Sequence, residues 1–264
     1  MAADFDALVA EALAAPTEGW NFARFGTRMH STHPSWRYWD LVAEPAASAP
    51  SMLDLGTGGG EQLAGFCERV GARPRLTVAT ESWPSNVPLA ARRLAPLGIQ
   101  VVHVEGAPDN DEQAPDELRG RLPFRDGAFA LVIDRHEAFN AREVARVLAP
   151  DGVFVTQQMG SDYRDLHDLL DEPWTPAAPV DRGLIARQVT AAGLTVEGSG
   201  EAELVQRFAD VGVLGWYLRQ VPWAVPTVDV QRDPERLRAA HERILADGPA
   251  RARQLQFWLR AVRP

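Results

Sequence analysis

Two short stretches concentrate residue types able to do chemistry. In Asp54-Leu55-Gly56-Thr57-Gly58-Gly59-Gly60-Glu61, glycines stand where an apolar run ends and a helical pattern begins. Glycine at such a place permits tight turning and lets bare backbone approach a ligand. Gly56 and Gly58 fit the first two positions of a nicotinamide-type Gly-x-Gly-x-x-Gly, but Glu61 occupies the third. A glutamate at a helix N-terminus would also repel a pyrophosphate. A P-loop is excluded because every basic residue is arginine and no lysine follows the loop. A cofactor held without phosphates suits this loop better. The second stretch is Asp134-Arg135-His136-Glu137. An imidazole, with an ordinary pKa of about 6.5, next to a carboxylate is the pairing used for general acid–base work.

The elements that must position these residues alternate along the chain. Ser51–Leu55, Leu76–Thr80, Ile99–Val104, Phe129–Ile133 and Val153–Gln158 read as strands one to five. Glu61–Val70, Val87–Leu97 (stopped by Gly98) and Ala141–Leu148 (stopped by Pro150-Asp151-Gly152) read as helices. Strands this apolar, alternating with helices, imply a parallel sheet covered on both faces. Leu194–Glu197 would be a sixth strand and Gln254–Val262 the last. Helices at Val211–Gln220 and Pro234–Asp247 would form an insertion between them. Ligands in such sheets bind beyond the carboxyl ends of the strands, which puts Asp134–Glu137 and Gln157 at the site.

Read together, these segments resemble class I S-adenosylmethionine-dependent methyltransferases. Asp54, Gly56, Gly58 and Gly60 match the family's acidic-x-Gly-x-Gly-x-Gly after the first strand. Glu81 stands where the family carries an acidic residue for the ribose hydroxyls, followed by Ser82. Glu105-Gly106-Ala107-Pro108-Asp109-Asn110 lies where the family meets the adenine, with Ala107 and Asp109 as candidates; a polar insertion before Leu122 departs from the pattern. The resemblance covers about residues 51–160. It implies an α/β, Rossmann-like, seven-stranded sheet, mostly parallel with an antiparallel last strand, and helices on both faces. It also implies S-adenosyl-L-methionine as cofactor and S-adenosyl-L-homocysteine as product. Thr57 joins the loop's cofactor contacts, and Asp134 and Arg135 are candidates for the methionine part. His136 is the natural base for an acceptor that must lose a proton, and Glu137 could orient it or act as the base itself.

The chain has 264 residues, 45% hydrophobic, with a formal net charge of −9, which argues against a large nucleic-acid footprint. No apolar run approaches a membrane span. The acidic, alanine-rich Met1–Ala15 reads as an amphipathic helix rather than a secretory signal. One cysteine, Cys67, excludes an internal disulfide and fits a cytoplasmic protein. No His, Cys or carboxylate set has metal-ligand spacing, and nothing specifies an oligomeric state. Residues 1–47 read as an N-terminal aromatic lid, followed by the linker Glu44–Pro50. The Rossmann-like domain occupies 48–264, with a cap insertion at about 209–248. Trp20 and Phe22 in the first zone, and Trp216, Tyr217 and Trp223 in the insertion, are candidates for a substrate wall together with Gln157. The expectation is methylation of oxygen or nitrogen on a small aromatic molecule. An RNA methyltransferase and a catalytically silent cofactor-binding regulator are the alternatives.

Overall fold

The computed structural model describes residues 4–17, 22–70, 74–107, 120–174 and 180–264. Two compact units emerge: Ser35–Gly160, Ala178–Ala202 and Gln256–Pro264 form one, and Met1–Pro34, Ser161–Ala177 and Glu203–Leu255 the other. Elements are numbered in chain order.

The unit with the glycine loop contains α2 (Tyr38–Ser48), β2 (Ser51–Leu55), α3 (Glu61–Val70), β3 (Leu76–Glu81), α4 (Val87–Leu94), β4 (Gln100–His103), β5 (Phe129–Arg135), α5 (Ala141–Val147), β6 (Leu148–Met159) and α7 (Arg182–Ala191). It also contains the first part of β7 (Thr195–Phe208) and the last part of β8 (Ala250–Val262). Strand β2 pairs in parallel with β3 and β5, β3 with β4, and β5 with β6, while β8 runs antiparallel to β6. Met52, Leu53, Leu131 and Ile133 are fully buried in this sheet. That burial is why β2 and β5 read as apolar runs rather than alternating strands. Helix α3 presents Leu63, Ala64, Phe66 and Cys67 to the core at helical spacing. Asn140 caps α5 by accepting from the Arg142 and Glu143 amides, and Gly98, at φ 67°, ends the turn after α4.

The other unit contains α1 (Phe5–Ala14), β1 (Met29–Ser31), α6 (Arg164–Leu169), α8 (Val211–Gln220), α9 (Pro234–Asp247) and the remaining parts of β7 and β8. Its core joins Phe5, Leu8 and Ala12 of α1 to Val213, Leu214, Trp216 and Tyr217 of α8 and to Leu237 and Ala240 of α9. Asp210 caps α8 through the Gly212 and Val213 amides, at 2.9 and 3.1 Å. It also pairs with Arg28, which reaches on to Glu11.

The structure corrects four expectations. The sheet has eight strands, not seven, in the order β1-β7-β8-β6-β5-β2-β3-β4. The additional one, β1, pairs antiparallel with Gln206–Phe208, and three residues are too few to leave a periodic signal. Glu44–Ser48 is the last turn of α2 rather than a linker: Pro45 is accommodated within that turn, and Val42 and Ala46 bury its inner face. The division near the N-terminus falls at Pro34, not at residue 47, because α2 packs with the glycine-loop unit. Strand β7 also runs on to Phe208 instead of ending at Glu197. No helix among the described residues is long and apolar enough to cross a membrane.

Candidate active site

The loop after β2 is built on left-handed backbone. Gly56, Gly58 and Gly60 sit at φ 62°, 62° and 80°, where a residue with a Cβ pays about 1–2 kcal/mol. The loop is tied to the end of β3 by the Thr57 amide donating to Thr80 O (2.9 Å) and the Gly58 amide donating to Glu81 Oε2 (2.6 Å). The Trp83 amide donates to Glu81 Oε1 at 2.9 Å. Glu81 is only 2% exposed. Its first role here is therefore to brace the loop, and the Asn86 side chain and the Ser82 amide also hydrogen-bond to it. Glu61, at the start of α3, pairs with Arg93 at 2.9 Å. The guanidinium of Arg93 also donates to the Gly59 carbonyl. Thr57 Oγ1 is buried with no hydrogen-bond partner at good geometry, although it lies close enough to the Asp54 carboxyl to favour its charged form.

Across from the loop, β5 ends in Asp134-Arg135-His136-Glu137. Asp134 is fully buried and accepts from Thr156 Oγ1 (2.9 Å), Gln158 Nε2 (2.7 Å) and the Glu137 amide (3.2 Å). His136 adopts φ 67°, an uncommon conformation for a residue other than glycine. Its amide donates to Gln157 O at 2.8 Å, which holds the chain in that turn. The turn sends the Glu137 side chain back over the glycine loop. Ser82 Oγ donates to Glu137 Oε1 at 3.0 Å. A Cβ placed on Gly56 would come within 2.5 Å of the Glu137 Cβ. Gly56 thus serves as the floor on which Glu137 lies.

The His136 side chain makes one hydrogen bond among the described residues. Its Nε2 stands 3.2 Å from Gln157 Nε2, and Gln157 Oε1 accepts from Trp36 Nε1 at 2.9 Å. Gln157 is 3% exposed. His136 is exposed as a residue, yet dense surrounding protein and then the Arg135 charge both push its pKa down.

Four carboxyls here lean towards protonation. Burial pushes Asp54 up to about 7, opposed by Thr57 and reinforced by Glu81. Burial likewise pushes Glu137 up to about 7, opposed by the Ser82 hydrogen bond and reinforced by Glu81. Asp134 lies well above its ordinary value and Glu81 is raised, again through burial first. The Arg135 guanidinium is the cation among them, and burial lowers its own pKa. The site is rich in carboxyls with little positive charge to balance them.

A narrow cleft in the same unit is lined by Gly56, Thr80, Gly106, Ala107, Phe139 and Glu137. It has room for about one water molecule, about 20 Å³. The structure therefore brings together Asp54, Gly56, Thr57, Gly58, Gly60, Glu81, Ser82, Ala107, Asp134, Arg135, His136, Glu137 and Gln157. Asp109 and Trp20 lie outside the described residues. Trp216 and Tyr217 are corrections: they are 1% and 3% exposed, in the core of the other unit. The Trp216 indole donates to Pro16 O at 3.1 Å, and Tyr217 OH accepts from Gln254 at 3.0 Å, so neither presents a face to a substrate. Phe22 packs edge-on against Trp216 in that unit, and Trp223 is 47% exposed with its indole donating to Tyr163 OH. A larger hollow of about 450 Å³, lined by Glu11, Arg24, Phe25 and Arg28, also belongs to that unit. It contains no nucleophile, and Arg28 is already bound to Glu11 and Asp210. Sequence reasoning missed Trp36 as a partner of the site, since its contact on β6 is remote in the chain and leaves no spacing signal.

No protein-family model matches this sequence, and no curated protein matches it. Solved structures do match. The YcgJ protein of Bacillus subtilis shares 16% identity over 86% of this chain and 97% of its own, with a TM-score of 0.57. A Bacillus halodurans protein proposed to be a methyltransferase shares 17% identity over 86% of this chain and 97% of its own, with a TM-score of 0.55. At these identities the likeness is one of fold. The chain has the Rossmann-like fold of class I methyltransferases.

Proposed function

We propose that this chain is an S-adenosylmethionine-dependent methyltransferase acting on an oxygen or nitrogen of a small organic molecule. The observation that carries this reading is the left-handed glycine loop braced by a buried acidic residue at the end of β3, within that fold. The residues present suit such a cofactor. Gly56, Gly58 and Gly60 hold the loop in a left-handed backbone, Glu81 and Ser82 would stand on the ribose side, and Ala107 would line the adenine side. The buried Asp54 and Asp134 carboxyls, short of cationic partners, suit the α-ammonium of the methionine part. Arg135 fits its carboxylate. Thr57 Oγ1 has spare hydrogen-bonding capacity towards the same ligand.

When bound, the cofactor supplies a methyl group on a sulfonium, already an electrophile. The chain's own part is to align the acceptor, exclude water and take a proton. Glu137 is placed for that proton, since burial brings its carboxyl up to about 7. The aromatic character expected of the acceptor loses its support with Trp216 and Tyr217 buried, so the proposal extends to non-aromatic molecules.

Calorimetric titration with S-adenosylmethionine tests the reading. Binding is expected, and Gly58→Asp is expected to abolish it, because a side chain and a second charge would enter next to Glu81. Absence of binding by the native protein at millimolar cofactor would sink the reading. Retained affinity in Gly58→Asp would show that the loop is not the binding element.

A further inference from the structure

Three side chains settle which nitrogen of His136 carries the proton. An indole N–H can only donate, so the Gln157 atom 2.9 Å from Trp36 Nε1 must be the amide oxygen. The Gln157 amide nitrogen then faces His136 Nε2 at 3.2 Å. An amide nitrogen can only donate, so Nε2 must accept and cannot hold a hydrogen. In the singly protonated ring, the hydrogen is therefore on Nδ1, for which no protein acceptor exists among the described residues. The left-handed backbone at His136 and the amide bond to Gln157 O hold the ring in this register. Gln157 is itself fixed by burial and by pairing with Arg135 across the β5–β6 ladder.

We propose that Trp36 is a positioning residue that, acting through Gln157, locks His136 with its proton on Nδ1, so that the ring offers the substrate a hydrogen-bond donor rather than a base. The use made of that donor rests on the methyltransferase reading; the lock does not. A donor close to the Arg135 charge suits an acceptor molecule that presents a carboxylate, phenolate or carbonyl oxygen to the ring. His136 then orients that molecule, and the proton lost on methylation goes elsewhere, with Glu137 in place to receive it.

The test is long-range ¹H–¹⁵N correlation of the histidine rings in the ¹⁵N-labelled full chain, with the His136 signals assigned by their loss in His136→Asn. The expected native pattern is a protonated Nδ1 and a bare Nε2. Trp36→Phe keeps an aromatic ring but removes the indole hydrogen, freeing the amide to turn over, and should move the histidine ring towards the Nε2–H form. Gln157→Glu replaces the amide donor with an acceptor and should reverse the tautomer outright. A native Nε2–H ring, an imidazolium at neutral pH, or a pattern unchanged in Trp36→Phe would each overturn the proposal. No cofactor or substrate enters this measurement, so its outcome stands whether or not S-adenosylmethionine binds. Failure of the titration with preserved tautomer control would sink the functional reading alone.

Discussion

The Glu137 carboxyl titrates near neutrality because burial disfavours its charge and Glu81 repels it, against the single opposing hydrogen bond from Ser82. A base is most effective when its pKa lies close to the working pH. The rate should therefore be low in acid, rise as pH passes about 7 and level off above it. Glu137→Gln should cost roughly 10²- to 10⁴-fold in turnover and remove that inflection. A steady-state pH profile of both proteins checks this, and an unaltered rate would remove Glu137 from the chemistry. The same side chain covers Gly56, in a cleft with room for about one water molecule. Any cofactor lying on the glycine loop must displace it and break its bond with Ser82. Glu137→Ala should thus bind S-adenosylmethionine more tightly than the native chain while transferring methyl groups more slowly. Calorimetry with weaker binding in Glu137→Ala would show that the side chain helps to hold the cofactor instead of standing in its way.

At the scale of elements, β7 shows where sequence reading succeeds and where it stops. The core strands and helices were legible because their burial is continuous or helically periodic: α3, α8 and α9 fall at the residues their patterns indicate. The glycine loop and the carboxyl-rich end of β5 were legible as residue types at strand ends. Strand β7 was legible only to Glu197, since Gly198-Ser199-Gly200-Glu201 carries low strand propensity. The structure supplies the missing reason. The Trp258 ring of β8 lies across these glycines, so that a Cβ on Gly200 would come within 2.6 Å of Trp258 Nε1 and one on Gly198 within 3.2 Å of its Cη2. The glycines are there to admit an aromatic ring from the neighbouring strand, and that information sits in β8. For the same reason the Trp36–Gln157–His136 contact was illegible: the three residues lie on separate elements. Gly200→Ala should destabilise the protein by about 1–3 kcal/mol, as overpacking does. Adding Trp258→Ala should make that second methyl group nearly harmless. Denaturant unfolding of the two single variants and the double variant gives the coupling; strictly additive losses would show that the glycine is not there for the ring.

For the whole molecule, the carboxyls buried at the glycine loop and those paired with arginine elsewhere, Glu143 included, have opposite tendencies. In the unit of α1 and α8, Glu11 and Asp210 are held below their ordinary values by Arg28, and Asp165 by Arg253. A carboxyl with a depressed pKa stabilises the fold above its unfolded value and loses that contribution as pH falls through the folded one. These contributions are modest, because Arg28 and Arg253 are open to solvent and salt. In the glycine-loop unit, burial raises Asp54 and Glu137 to about 7 and raises Asp134 well above its ordinary value. A raised carboxyl works the other way: its contribution is complete below about pH 4 and is lost as pH climbs through about 7. At about 1.4 kcal/mol per pK unit, ionising Asp54 alone costs on the order of 4 kcal/mol as an upper bound. The ligand-free protein should therefore be most stable near about pH 4, and its Tm should fall progressively between about pH 4 and about pH 7 and level off above that. Asp54→Asn should flatten that fall, because the amide has no charge to bury. Asp210→Asn keeps a residue able to cap α8 and should lower Tm without changing the slope near neutrality. Scanning calorimetry of the three proteins across that range decides the matter: a native Tm that holds level or rises there, or a slope untouched by Asp54→Asn, would mean that the buried carboxyls are already ionised and balanced within the fold.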